Sequence, residues 1–90
     1  HYRRKTRLSK LPHNWEIKDN KLFRSYECDS FLNAIEFINK IAQIAEKEDH
    51  HPNITNVYNK VEIILFTHSE NAITKKDYNL ANQIEEIFIS

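Results

Sequence analysis

The sequence predicts an α+β fold: a two-layer ββαββα domain with a four-stranded antiparallel sheet and both helices on one face. Three observations predict it. Apolar residues recur at helical spacing over two stretches, about 30–48 and 74–88. Four short runs rich in β-branched and aromatic residues lie before those stretches, two before each. Each pair of runs is divided by a turn signal, not by a helix, so its strands form a hairpin and the sheet is antiparallel.

Residues 1–14 are basic and polar, end at Leu11-Pro12-His13-Asn14, and are read as an arm or a short helix. Residues 15–90 are read as a single domain. Trp15-Glu16-Ile17-Lys18 and Leu22-Phe23-Arg24-Ser25-Tyr26-Glu27-Cys28 are the first two strands, divided by Asp19-Asn20. Leu22, Tyr26 and Cys28 share one face by period two, with Arg24 the exception. Asp29 or Ser30 caps the first helix. Its apolar stripe is Phe31, Ala34, Ile35, Ile38, Ile41, Ala42 and Ala45. It runs out in Glu46-Lys47-Glu48-Asp49 and stops at His50-His51-Pro52, because proline cannot continue a helix and pushes His51 towards extended backbone.

The second hairpin spans Ile54–Tyr58 and Val61–His68 around Asn59-Lys60. Val61, Ile63, Leu65 and Thr67 point one way; Glu62, Ile64, Phe66 and His68 point the other. Thr74 with Asp77 forms a capping box that uses Asp in place of Glu. Asp77, Leu80, Ala81, Ile84 and Phe88 continue the second helical stripe.

The bulk properties exclude several function classes. The 90 residues carry 13 basic and 13 acidic groups. Five of the basic groups (Arg3, Arg4, Lys5, Arg7 and Lys10) fall in the first ten residues, and the rest of the chain is net negative by 5. One short basic run is a weak nucleic-acid footprint, so a solvated terminus is the preferred reading, with organelle targeting left open. There is no glycine, which removes Gly-rich phosphate loops and dinucleotide fingerprints. A lone Cys28 allows no intrachain disulfide and fits a reducing compartment. No apolar run reaches the roughly 20 residues that span a bilayer, and no signal-peptide core is present. The start at His1, not Met, is read as the mark of a removed leader or tag.

Chemistry concentrates at Glu46-Lys47-Glu48-Asp49-His50-His51-Pro52, with Thr67-His68 and Asp77 further on. Histidine is the side chain that titrates near neutrality, so a cluster of three suits proton movement. Glu46 and His50 are four apart and could share a helix face. The hairpin would return His68 towards the helix exit. Two imidazoles and a carboxylate could then serve an elimination or hydration with no covalent intermediate. Each residue also has a bland reading: His50 as a surface group at a helix C-terminus, Glu46 as a solvated acid, Asp77 as a cap, Cys28 and Trp15 as core. A zinc site on Glu46, His50, His51 and His68 is a rival, although His-Glu-x-x-His is absent and adjacent histidines chelate one ion poorly.

The same residues carry a family resemblance. Glu46-x-x-x-His50-His51-Pro52, Tyr58-Asn59-x-Val61, Thr67-His68 and Thr74-x-x-Asp77 together resemble the pterin-4a-carbinolamine dehydratases, also called the dimerisation cofactor of a homeodomain transcription factor. The resemblance covers roughly 11–90. It implies the ββαββα fold and dehydration of a 4a-hydroxytetrahydropterin to a quinonoid dihydropterin, in tetrahydrobiopterin recycling, with neither metal nor organic cofactor. It implies His50, His51 and His68 as the active-site histidines, with Glu46, Asp77 and Trp15 in support. Within that resemblance, His50 and His68 are expected to move protons, His51 to orient the pterin and Glu46 to hold an imidazole tautomer. Ile54 departs from the family, which often has an aromatic there. Glu70-Asn71-Ala72-Ile73 replaces a Gly-containing loop, and Asn71 is expected to take left-handed geometry.

The resemblance also implies a homodimer or homotetramer and a cytoplasmic, or also nuclear, location. It permits a second function class, a non-catalytic binding module for a transcription factor. A metal-dependent hydrolase is the third.

Overall fold

The computed structural model describes residues 11–12 and 14–89. The arm expected over 1–14 therefore lies, apart from Leu11, Pro12 and Asn14, outside the described residues. The elements are β1 (Glu16–Lys18), β2 (Lys21–Glu27), α1 (Phe31–Glu48), β3 (Asn53–Val57), β4 (Lys60–Leu65) and α2 (Lys75–Ile89). The four strands form one antiparallel sheet in the order β1-β2-β4-β3. The two hairpins thus meet through their later strands, with Leu22 opposite Leu65 and Tyr26 opposite Val61.

Turn chemistry adapts to the missing glycine. Positive φ falls at Asn14, Asp19, Asn20, Asp49, Tyr58 and Asn71, and all but Tyr58 are Asn or Asp, whose short polar side chains tolerate that region. Asp19 and Asn20 take φ of 52° and 62°, the pairing of a type I′ turn, which matches the twist of the flanking strands. Asn71, at φ 53°, fills the position expected of it. The second turn lies at Tyr58-Asn59, one residue earlier than expected. There Asn56 Nδ2 donates to the Tyr58 and Lys60 carbonyls, at 3.1 and 2.9 Å, and holds the turn closed.

The expected face of the second hairpin is observed. Val61, Ile63, Leu65 and Thr67 are buried, and His68 is exposed. Leu22 and Tyr26 join them, and the helices cover that face with Ala34, Phe37, Ile41, Leu80, Ala81 and Ile84. The stripe of α1 is turned from the expected one. Ala34, Ile41 and Ala45 are buried as expected, but Phe37 joins them, while Phe31 and Ala42 are exposed. The reason is aromatic packing: the Phe37 ring stands edge-on to Tyr26 at 4.9 Å and lies 5.3 Å from Phe88, which draws that side of the helix inwards.

Arg24, the exception in the strand pattern, has a partner that only the fold supplies. Its guanidinium stacks over Tyr26 at 4.0 Å and its Nη1 donates to Glu85 of α2 at 3.0 Å. The same carboxylate accepts from Tyr26 Oη at 2.6 Å and from Trp15 Nε1 at 3.2 Å. Glu85 therefore pins β2 and the start of β1 to the second helix through three donors.

Candidate active site

The backbone at the end of α1 places the histidine pair. Asp49 turns left-handed (φ 54°, ψ 42°); its N–H reaches the Glu46 carbonyl at 3.2 Å and His50 N–H reaches Ala45 at 3.1 Å. That is a Schellman closure with Asp in the place usual for Gly. It reverses the chain direction immediately before His50, and Pro52 prevents any return to helix.

The two rings then diverge. His50 Nε2 lies 2.6 Å from Asp77 Oδ1. Asp77 is fully buried, and the His50 side chain is 12% exposed. His51 Nε2 lies 2.9 Å from Glu46 Oε1, with 59% of the His51 and 80% of the Glu46 side chain exposed. The helix-face pairing expected between Glu46 and His50 is not formed, because the Schellman turn takes His50 off the helix. Glu46 does hold an imidazole, that of His51, in an exposed contact that contributes little to stability.

Asp77 combines two roles that the sequence left as alternatives. It caps α2: Oδ2 accepts from Thr74 N–H at 2.9 Å. Oδ2 also accepts from Thr67 Oγ1 at 2.8 Å, while Oδ1 faces His50. Thr67 Oγ1 in turn lies 2.7 Å from Thr74 Oγ1. Thr67 is a site residue that the reading of motifs leaves without a role, and Thr74, read there only as a helix cap, joins it. The available signal is a hydroxyl at Thr67, just past β4, on the side that the alternation from Val61 buries, where a partner is obligatory.

His68 follows Thr67 directly, on the exposed side of the chain. Its ring meets Phe66 edge-on at 5.2 Å. An open cavity of about 310 Å³ lies on the Phe66 side, lined by Lys21, Phe66, Asn71 and Ile73 among others and not by His68. Among the described residues no hydrogen bond joins His68 to His50 or His51. Its link to them runs through the chain: Thr67 bonds Asp77, and Asp77 bonds His50.

Trp15 is placed elsewhere. It is 4% exposed, packs edge-on to Tyr26 at 6.4 Å, and donates to Glu85. Glu85 stands eight residues beyond Asp77 on α2, about 12 Å of helix rise. Cys28 is half-buried, and burial, followed by the Asp29 charge, pushes its thiol up, away from the reactive thiolate. Among the described residues no three His, Cys, Asp or Glu side chains are grouped so as to hold a metal ion. No helix among them is long and apolar enough to cross a membrane.

Known proteins share this arrangement of elements. Residues 2–87 match the family described as Pterin 4 alpha carbinolamine dehydratase. A Prochlorococcus marinus protein bearing the pterin-4-alpha-carbinolamine dehydratase name is 47% identical over 81 residues, which covers 90% of this chain and 83% of the relative. One from Sulfolobus acidocaldarius is 40% identical over 83 residues, covering 92% and 90%. The crystal structure of a transcriptional coactivator/pterin dehydratase from Brucella melitensis is similar with a TM-score of 0.81 at 38% identity, over 83% of this chain and 82% of that one. A pterin dehydratase-like RuBisCO assembly factor of the alpha-carboxysome shares the fold, with a TM-score of 0.72 at 20% identity. Since the matched span runs from before the first hairpin into the last turns of α2, the chain belongs to the pterin 4 alpha carbinolamine dehydratase family of lyases.

Proposed function

We propose that this chain dehydrates a pterin 4a-carbinolamine to the quinonoid dihydropterin in tetrahydrobiopterin recycling, with His50 and His68 carrying the proton transfers and His51 orienting the pterin. The reaction needs one proton delivered and one removed. A proton goes to the 4a-hydroxyl, the C4a–O bond breaks and water leaves. The N5 proton goes to a base as the C4a=N5 double bond forms. No electrons are exchanged, so an acid and a base suffice.

The observation that carries this reading is the His50–Asp77 pair, 2.6 Å apart with a fully buried carboxylate. An ionised carboxylate only accepts, so it holds the hydrogen on Nε2 and leaves Nδ1 unprotonated in the neutral ring, ready to take a proton. Glu46 does the same for His51, more loosely.

The test is carbinolamine dehydration followed by ultraviolet absorbance. His50→Ala is expected to slow it by about 10²–10⁴-fold, the range for loss of a proton-transfer group. His51→Ala combined with His68→Ala at wild-type rate would overturn the assignment of those two residues.

A second reading, a binding module for a transcription factor, is supported by the words "transcriptional coactivator" applied to the Brucella relative. A partner effect that survives His50→Ala would favour it. A homodimer or homotetramer is proposed with either reading, since β1 and β3 leave sheet edges that need covering. The proposed setting is the cytoplasm, or also the nucleus.

A further inference from the structure

The geometry points to Thr67 as a positioning residue of the dehydration, one that sets the proton position on His50 through Asp77. This inference rests on the proposed role of His50. Asp77 Oδ2 accepts from Thr67 Oγ1 and from Thr74 N–H, at 2.8 and 2.9 Å. Those two donors occupy the lone pairs of Oδ2, so a proton on the carboxyl could sit only on Oδ1, against His50. A hydroxyl has one hydrogen. Thr67 spends it on Asp77, so in the 2.7 Å contact between the two hydroxyls Thr74 is the donor. Lys76 N–H in turn donates to Thr74 Oγ1 at 3.3 Å.

The chain therefore has one direction: Lys76 N–H to Thr74, Thr74 to Thr67, Thr67 to Asp77. Every hydrogen in it points towards the carboxylate, and His50 Nε2 approaches the same carboxylate from the other side. Such charge-assisted bonds favour the ionised acid and so keep the shared hydrogen on Nε2. Thr67 touches no reacting atom in this scheme. It fixes which imidazole nitrogen is free. Because its neighbour His68 is the second proposed proton carrier, one hydroxyl also ties the end of β4 to the histidine at the end of α1.

The experiment compares Thr67→Val, Thr67→Ser and His50→Ala in the dehydration assay, with long-range ¹H–¹⁵N spectra of the imidazoles. Thr67→Val is expected to lower kcat by about tenfold or more, the size of one lost hydrogen bond to a charged group. KM should change little. The His50 ring should shift from a single Nε2–H tautomer to a mixture. Thr67→Ser should restore both the rate and the spectrum. If Thr67→Val does not fold, Thr67→Cys, which lacks the methyl group and keeps a weaker donor, carries the same expectation with a smaller loss. A folded Thr67→Val or Thr67→Cys with wild-type kcat and an unchanged His50 tautomer overturns the inference. If His50→Ala itself dehydrates at wild-type rate, the underlying reading of the site fails instead.

Discussion

His50 Nε2 and Asp77 Oδ1 meet at 2.6 Å across 27 residues of chain, joining the exit of α1 to the first turn of α2. The carboxylate that caps one helix thereby holds the imidazole that leaves the other. The geometry proposed for catalysis and the helix cap share one side chain, so a substitution there perturbs both.

Asp77→Asn tests that sharing. The amide keeps the shape but replaces one acceptor oxygen by a donor. If its oxygen faces His50, its NH₂ faces the Thr74 N–H and the Thr67 hydroxyl; if it is flipped, its NH₂ faces His50 Nε2. The first orientation sets donors against a donor; the second forces His50 onto the opposite tautomer, with its hydrogen on Nδ1. The expected outcome is a rate loss of about 10²-fold or more, with about 2 kcal/mol of lost stability. Steady-state rates and urea denaturation measure the two. Wild-type values for both would show that the pair has neither role.

Glu46→Gln is expected to be mild. Its contact with His51 is exposed on both sides, and such pairs contribute little. The rate should fall by less than about tenfold, compared with the much larger loss for Asp77. Assaying the two variants together ranks the carboxylates. A larger loss for Glu46→Gln would reverse the ranking and make His51 the more important imidazole.

Glu85→Ala addresses stability. The change removes the acceptor of Trp15 Nε1 and Tyr26 Oη, both in the core, and one partner of the Arg24 guanidinium, which also donates through Nε to the Ser25 carbonyl at 3.2 Å. Leaving two such donors without their acceptor costs about 2 kcal/mol or more, so the melting temperature should fall by about 10 °C for a chain of this size. The Asp77 network lies about 12 Å along α2 from this hub, so dehydration well below the new melting temperature should persist. A rate that collapses while the fold remains intact would bring the Trp15 end of the molecule into the site.

Alkaline pH should unfold the protein partly through Tyr26. Burial, and then the hydrogen bond to Glu85, push its phenol far above the ordinary range. In the unfolded chain a phenol ionises near pH 10. Below about that pH both states keep the proton and the stabilisation is fully present. Above it the unfolded chain releases the proton and the folded one does not, so stability falls by up to about 1.4 kcal/mol per pH unit from this residue. Tyr26→Phe removes that dependence. The stability difference between wild type and Tyr26→Phe should therefore shrink on moving from about pH 9 to about pH 11.5. A constant difference would contradict the linkage.

Much of this molecule is legible in local pattern. The Asp19-Asn20 turn, the alternation from Val61 to His68, the Thr74–Asp77 cap and the left-handed Asn71 each depend on a few adjacent residues, so the chain declares them without its fold. The histidine motif likewise points to the family without any geometry. Partnerships were not legible. Glu46 sits at helical spacing from His50, yet a left-handed Asp49 turns His50 away, and the ring instead meets an acid 27 residues on. Arg24 looked like a break in its strand's apolar face until α2 brought Glu85 beside it. Phe37 entered the core because Tyr26 and Phe88 arrived from other elements. Spacing along a chain orders neighbours on one helix or strand; which polar group satisfies another across elements depends on how the layers pack, and only the tertiary structure decides that.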